Sequence, residues 1–456
     1  MITKNDEVQI EITAMSTDGN GVGHIEGFAV FVPYTAVGDI LLIKIVKVLK
    51  NYAFGIIQQI LTPAKGRIEN DCDVYTKCGG CSFRHVDYQS ELEYKGKFVE
   101  DNFRKIGGIT VPVSNTMPSP QQSGYRNKAQ YPVAKIDGKV IIGFFAKRSH
   151  RAYECMNCPL QPEFFSGILK IIKDFIEEKN VSVYDETTHK GLIRHIYIRY
   201  AQRTQQVMIC IVANGNGLQY NDLLISRLTQ AYPQIKTVIL NINKQKNNVI
   251  LGEQNIVLYG DGIITDIMCG LEVELSPLSF YQVNTAAAES LYRMAEKLAD
   301  FQGNEVLIDL YCGTGTIGLS MAGKVKQLIG VEIVPDAIKN AEQNAVKAGI
   351  SNAQFLCDDA GGAAISLSEQ GIKPDVVIVD PPRKGCSDDV IEAIAKMAPQ
   401  KVIMISCNSA TAARDCKALC EKGYKVNEIA PWDLFPRTSH VEAIILMTYC
   451  GDKPKK

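Results

Sequence analysis

Residues 305–320 read E-V-L-I-D-L-Y-C-G-T-G-T-I-G-L-S, a string that few backbone paths accommodate. Val306–Leu310 is an apolar run of the length of one buried strand. Gly313, Gly315 and Gly318 then let the chain turn tightly from strand into helix, the layout of a nucleotide-binding loop. Glycines at this spacing also arise in purely structural turns, so the surrounding sequence must decide.

From about residue 265 the pattern alternates. V-L-I-D-L, Q-L-I-G-V-E, A-Q-F-L-C-D-D, D-V-V-I-V-D and K-V-I-M-I-S read as five strands with helices between them, as in an open parallel sheet. Ligands of such sheets bind at the carboxyl ends of the strands. Glu332 closes the second strand, 19 positions after Gly313, where a carboxylate can accept hydrogen bonds from ribose hydroxyls. Asp359 closes the third, near where an adenine amino group would lie. Both residues suit a dinucleotide and S-adenosylmethionine alike. Asp309, at the end of the first strand, would repel a pyrophosphate but suits a cationic amino-acid tail, which favours S-adenosylmethionine.

The fourth strand ends in D-P-P-R-K-G, whose two prolines stiffen the turn and hold the Asp380 carboxylate beside the transferred methyl group, where it can hydrogen-bond a substrate amide or imino group. The fifth ends at Cys407, a thiol at the same rim. Pyrimidine carbon 5 is a poor nucleophile until a thiolate adds to carbon 6, and the carbon 5 proton must afterwards leave to a base. The last apolar strand, H-V-E-A-I-I-L-M, offers Glu442 and a second candidate in His440. The thiol also needs a helix dipole or a cation to lower its pKa.

The front of the chain differs. Residues 1–260 carry 30 Lys and Arg against 24 Asp and Glu, whereas 261–456 carry 19 against 26, as expected if a polyanion is held by the first part and chemistry done in the second. Residues 7–61 read as short strands of a small barrel, a fold that often binds oligonucleotides, with Lys44, Lys47 and Lys50 along one edge. Further on, Tyr125–Lys128, Phe144–Arg148 and His150–Arg151 mix cations with rings, and Arg194, Tyr197 and Arg199 alternate with apolar residues as at an RNA-facing strand edge. With no apolar signal region and no membrane-length apolar window, the chain is expected to be cytoplasmic, with no membrane partner. Fourteen cysteines in such a chain point away from a disulfide framework. Cys72, Cys78 and Cys81 stand close together around Gly79 and Gly80, and Cys155 and Cys158 follow, a metal-ligand signal. Cys78, Cys81, Cys155 and Cys158 would make two zinc knuckles; Cys72, Cys78, Cys81 and Cys158 would hold an iron-sulfur cluster.

These motifs resemble the family of RNA 5-methyluridine methyltransferases, closest to the bacterial enzymes acting on 23S ribosomal RNA, along nearly the whole chain. The resemblance implies an α/β protein of three parts: an OB-like TRAM barrel at 1–62, a central α/β domain at 63–264 carrying a metal cluster, and a Rossmann-like class I methyltransferase domain at 265–456. It also implies that residues near 88–118 pack on the catalytic domain. It moves the ligand set to Cys72, Cys78, Cys81 and Cys158 with [4Fe-4S], leaving Cys155 spare. Gln282, Tyr311, Gly313, Gly315, Thr316, Glu332, Asp359 and Asp380 are expected at the cofactor, with Thr316 and Asp359 departing from the residues many relatives carry. Cys407 matches the nucleophile and Glu442 the base. Implied, then, is a monomer that transfers a methyl group from S-adenosylmethionine to carbon 5 of a uridine in 23S ribosomal RNA, the alternatives being a transfer RNA enzyme of the same chemistry and a non-catalytic RNA-binding protein with a degenerate methyltransferase fold.

Overall fold

The computed structural model describes residues 2–147 and 149–451. Arg148 of the basic, aromatic stretch and residues 452–456, expected to fray, lie outside the described residues. The chain divides into two units: Met1–Asp71, Cys81–Pro120 and Ser290–Lys456 form one, and Cys72–Gly80 with Gln121–Glu289 the other. Among the described residues no helix is long and apolar enough to cross a membrane.

The first unit begins with a six-stranded sheet in the order Glu7–Glu11, Ile40–Val48, Tyr52–Thr62, Phe28–Pro33, Asn20–Ile25, Ala14–Met15. Alternation does the work here: Leu41, Ile43 and Ile45 point inward onto Ile10, Ile12, Val30 and Val32, while the residues between them face outward. The sheet curls tightly where a Cβ on Gly23 would sit 2.4 Å from the Glu11 carbonyl oxygen, so only glycine fits that crossing.

Helix Tyr88–Asn102 starts at Asp87, whose carboxylate accepts the Ser90 N–H at 2.7 Å, and runs on through a π-helical turn, Phe103–Gly107. Its Val99 joins Phe103 in the core of the C-terminal sheet. A buried ion network adds to this: Lys95 Nζ lies 2.7 Å from both Glu91 and Asp433, and the Tyr88 hydroxyl donates to Asp433 at 2.8 Å.

The C-terminal sheet runs Ala353–Cys357, Gln327–Glu332, Val306–Leu310, Val376–Val379, Lys401–Ser406, Glu442–Tyr449, Tyr424–Trp432. The first five strands are parallel; Glu442–Tyr449 is antiparallel to both of its neighbours. Strand order reverses between Val306–Leu310 and Val376–Val379, which opens a crevice at their carboxyl ends. Because Glu442–Tyr449 runs the other way, with Ser406 paired to Ala443, its first residue, Glu442, falls level with Cys407, just past the end of Lys401–Ser406.

The second unit holds a seven-stranded sheet, Gln254–Tyr259, Ile235–Ile242, Gln206–Ala213, Ile193–Ala201, Lys128–Ile136, Lys139–Phe145, Ala152–Glu154, packed on helices Phe165–Glu178 and Asn221–Ala231. The expected RNA-facing edge at Arg194, Tyr197 and Arg199 is corrected: Ile193–Ala201 is an interior strand, paired on both sides from His195 to Arg199, and all three side chains are buried, so none stands at an exposed sheet edge. Arg199 spends its guanidinium on the Ser276 and Ser279 carbonyls, each at 2.6 Å. Tyr125 and Asn127 are likewise interior, Asn127 donating to the Gln282 carbonyl and the Thr285 hydroxyl.

Candidate active site

After Leu310 the backbone turns through positive φ at Tyr311 (68°), Gly313 (55°) and Gly315 (80°) before helix Thr316–Met321 begins. Tyr311 adopts the left-handed region without being glycine, a conformation that costs energy and marks a constrained loop. The third glycine answers to packing, since a Cβ on Gly318 would stand 2.8 Å from Leu328 and 2.9 Å from Asp309 Oδ2. That Asp309 oxygen accepts the Gly318 N–H at 2.9 Å. Asp309 therefore does not face a cofactor ammonium, as its position suggested: it is wholly buried and braces the loop from beneath, and burial pushes its carboxyl up to about 7.

Glu332 does reach the loop. One oxygen accepts the Gly313 N–H at 3.2 Å and the other the Val334 N–H at 3.0 Å, fixing the carboxylate at its strand end with lone pairs still available to hydroxyls. Ile333 and Val334 follow it as exposed apolar side chains, which the sequence reading did not single out. Exposed apolar residues directly after a strand-ending acid were the signal. Tyr311 is half-buried, with its hydroxyl at Cys386. Thr316 Oγ1 is 3.5 Å from Thr314 Oγ1. Asp359 lies two residues beyond its strand and caps helix Ala360–Glu369, one oxygen accepting the N–H groups of Gly361 and Gly362 at 3.0 Å. Gln282 belongs to the other unit, where its carbonyl is held by Asn127. A carboxylate fixed against a glycine-rich loop, with an apolar shelf beside it, fits a nucleoside carrying no phosphate.

At the neighbouring strand ends three candidate groups converge. Asp380 follows Val376–Val379, and the turn after it closes with the Gly385 N–H donating to the Pro382 carbonyl at 2.8 Å. Cys407 follows Lys401–Ser406, immediately before Asn408, which caps helix Ser409–Glu421 by accepting the Ala410 N–H at 3.1 Å. The Asn408 amide also donates to the Arg383 carbonyl at 2.9 Å and so ties the D-P-P-R turn to the thiol. Glu442 is 6% exposed, and burial, then the charge of Asp380, push its carboxyl up to about 8 while Arg383 pulls it back. Burial, Glu442 and Asp380 push the Cys407 thiol up, again opposed by Arg383. Asp380 keeps partial solvent access in this recess, and its carboxyl too is raised by burial. Arg383 is thus a cation felt by both thiol and base, a residue the motif contained but the sequence reading left without a role. His440, the second candidate, is exposed and meets Phe435 edge-on, whereas Glu442 is buried.

Of the proposed metal ligands, Cys72, Cys78 and Cys158 lie in the second unit together with Cys155, and Cys81 opens the next segment of the first. The Cys155 thiol is in hydrogen-bonding contact with Cys158 and Cys72, which push it well up; Cys78 is raised by burial and by the charges of Cys158 and Cys72. Thiols thus gather here, yet among the described residues no three Cys, His, Asp or Glu side chains form a ready metal cage. Cys155, which the resemblance leaves spare, is part of the gathering.

The sheet order, the glycine-rich loop and the strand-end acids define a class I methyltransferase fold. Comparison with known proteins narrows this class. Residues 87–449 match the model of the tRNA (Uracil-5-)-methyltransferase family, and residues 3–57 match the TRAM domain. An uncharacterized RNA methyltransferase of Clostridium tetani (strain Massachusetts / E88) is 45% identical over 454 residues, covering 100% of this chain and 99% of the relative. One from Halalkalibacterium halodurans is 38% identical over 98% of each chain. The crystal structure of Pyrococcus abyssi tRNA (uracil-54, C5)-methyltransferase in complex with S-adenosyl-L-homocysteine superposes with a TM-score of 0.78 at 25% identity, covering 97% of this chain and 100% of that one. The chain belongs to the tRNA (uracil-5-)-methyltransferase family. It is an S-adenosylmethionine-dependent RNA uracil-5-methyltransferase with an N-terminal TRAM domain.

Proposed function

We propose that this enzyme makes 5-methyluridine in 23S ribosomal RNA through a covalent adduct on Cys407. The observation carrying the chemistry is the convergence of Cys407, Glu442, Asp380 and Arg383 at the carboxyl rim of one sheet. In this reading the Cys407 thiolate, favoured by Arg383, adds to carbon 6 of the uracil, and the displaced electron pair makes carbon 5 nucleophilic. Bound S-adenosylmethionine supplies the electrophilic methyl group. The Asp380 carboxylate orients the ring by accepting from its imino N–H. Glu442 then takes the carbon 5 proton, and the returning electron pair expels the Cys407 thiolate and restores the ring. Gln282, Tyr311, Gly313, Gly315, Thr316, Glu332, Asp359 and Asp380 make up the cofactor site, Asp359 through the oxygen that its cap leaves open.

The reading extends to a monomer in the cytoplasm, with RNA held by 1–62 and 63–264 and chemistry done in 265–456. It also takes Cys72, Cys78, Cys81 and Cys158 as the ligands of a [4Fe-4S] cluster, which would cross-link the loops around it. Support is the chemistry of the donors, several soft thiols around a Gly-Gly turn. Zinc remains the alternative because Cys155 touches Cys158 and Cys72. Anaerobic purification tests this: iron near four per chain supports the cluster, and stoichiometric zinc without iron selects the knuckles.

A second substrate reading, transfer RNA, is favoured by the description of the matching family and by the Pyrococcus abyssi relative. Mapping 5-methyluridine in RNA from a strain lacking the protein separates the two. Loss from 23S ribosomal RNA alone supports the first reading, loss from transfer RNA alone selects the second, and loss from neither contradicts both.

A further inference from the structure

Strand Ile193–Ala201 carries a bulge: Ile193 pairs with Ala213 and His195 with Val212, so Arg194 has no opposite residue. Bulges re-aim side chains. In a regular strand Arg194 and His195 would point to opposite faces, yet here both line one recess of about 360 Å³, together with Phe145, His150, Glu186 and, on the side of the cysteine cluster, Cys78 and its Gly79–Gly80 turn. The bulge sits at the start of the strand, just before its pairing with Lys128–Ile136 begins at His195 opposite Pro132.

The lining is that of a ring-binding site. Phe145 meets His195 edge-on with centroids 6.2 Å apart and lies 5.3 Å from the His150 ring. Arg194 is 3% exposed and His195 5%, yet Arg194 Nε and His195 Nδ1 are buried with no hydrogen-bond partner. A buried polar nitrogen left unsatisfied is costly, so two of them on side chains that line one recess favour an occupant with polar edges. Arg194 Nη1 donates to the carbonyls of Asn243 (3.1 Å) and Gln245 (2.7 Å), Nη2 lies 3.7 Å from the Glu186 carboxylate, and the guanidinium stacks on the Tyr184 ring at 4.4 Å. This anchoring fixes the direction of the remaining nitrogen. Burial also holds His195 down to about 4, so the imidazole is neutral and can both donate and accept.

We propose that this recess takes a second, non-target nucleobase of the RNA substrate, extruded from its stack, its face against Phe145 and its edge on Arg194 and His195. Enzymes acting on structured RNA read unstacked bases in this way, through an aromatic face and edge hydrogen bonds. The inference rests on RNA being the substrate and not on which RNA it is. The site fixes the approach of the RNA rather than the chemistry, since none of its residues belongs to the catalytic rim.

The test uses the full-length enzyme and the RNA fragment in which its 5-methyluridine is mapped, each nucleotide flanking the target being made abasic in turn. Phe145→Ala removes the ring; Val249→Trp fills the recess from an exposed loop residue that lines it. Thermal unfolding followed by circular dichroism reports folding of both variants, since the varied residues lie in the second unit. Wild type is expected to lose about tenfold in RNA affinity at one non-target abasic position. The variants lose a similar factor with intact RNA and nothing more at that position, and the salt dependence keeps its slope because no phosphate contact is removed. Two results overturn the proposal: both folded variants binding intact RNA within twofold of wild type, or losses that add to the abasic loss at every position. Failure to methylate the fragment at all would instead show in wild type.

Discussion

Glu442 opens a strand otherwise filled by Ala443, Ile444 and Ile445, and no core requires a carboxyl there. Its cost is measurable. Its pKa is 4.5 when unfolded and about 8 when folded, so the native state binds more protons between these values. Stability should therefore fall as pH rises from about 4.5 to about 8 and level off above. Glu442→Gln should flatten that part of the Tm–pH curve, whereas an unchanged slope would count against the burial of this acid. Activity moves the opposite way: a base must be ionised, so kcat/KM should climb through pH 8, with the raised Cys407 thiol adding to the same trend. Cys407→Ala is expected to lower methyl transfer by about 10³-fold or more with S-adenosylhomocysteine affinity intact. Retained turnover would remove Cys407 from the mechanism. The thiol and the acid were legible because each interrupts an apolar context. Arg383 was not, because a cation directly after a Pro-Pro pair signals nothing until the Asn408 hydrogen bond places that turn against the thiol.

At the scale of elements, the glycine-rich turn and the five parallel strands could be read from apolar run length and glycine spacing. What could not be read is which way a polar residue in such a run points. Asp309 looked like a cofactor contact and serves Gly318 instead, and Arg199 looked like an RNA contact and serves two carbonyls about 80 residues away. In both cases the partner is distant in sequence, so no local pattern reports it. Gly318→Ala tests the packing role: the added methyl meets Leu328 and Asp309 below 3.0 Å and should destabilise by about 1–3 kcal/mol, read by denaturant titration. A neutral result would mean that the loop has room to shift. Lys95→Ala should cost about 3–5 kcal/mol, because it strands Glu91 and Asp433 as unpaired buried acids. A loss below 1 kcal/mol would mean that water reaches the network.

On the scale of the whole molecule, the chain folds twice away from its linear order. Residues 81–120 belong to the unit that contains 290–451, with 72–80 and 121–289 forming the other. A contiguous reading of apolar runs cannot see such an excursion; the buried Lys95–Asp433 pair, 338 residues apart, is what records it. The front-to-back charge difference is consistent with an RNA enzyme but carries no site. Thiol, base, methyl donor and RNA must all meet for one reaction, and a single trap reports them together. Glu442→Gln, incubated with S-adenosylmethionine and substrate RNA, should accumulate a covalent protein–RNA complex. After nuclease and protease digestion, mass spectrometry should find the Cys407 peptide carrying a 5-methylated, 6-linked dihydrouridine nucleotide. Normal 5-methyluridine formation by that variant, with no adduct on Cys407, would contradict the account.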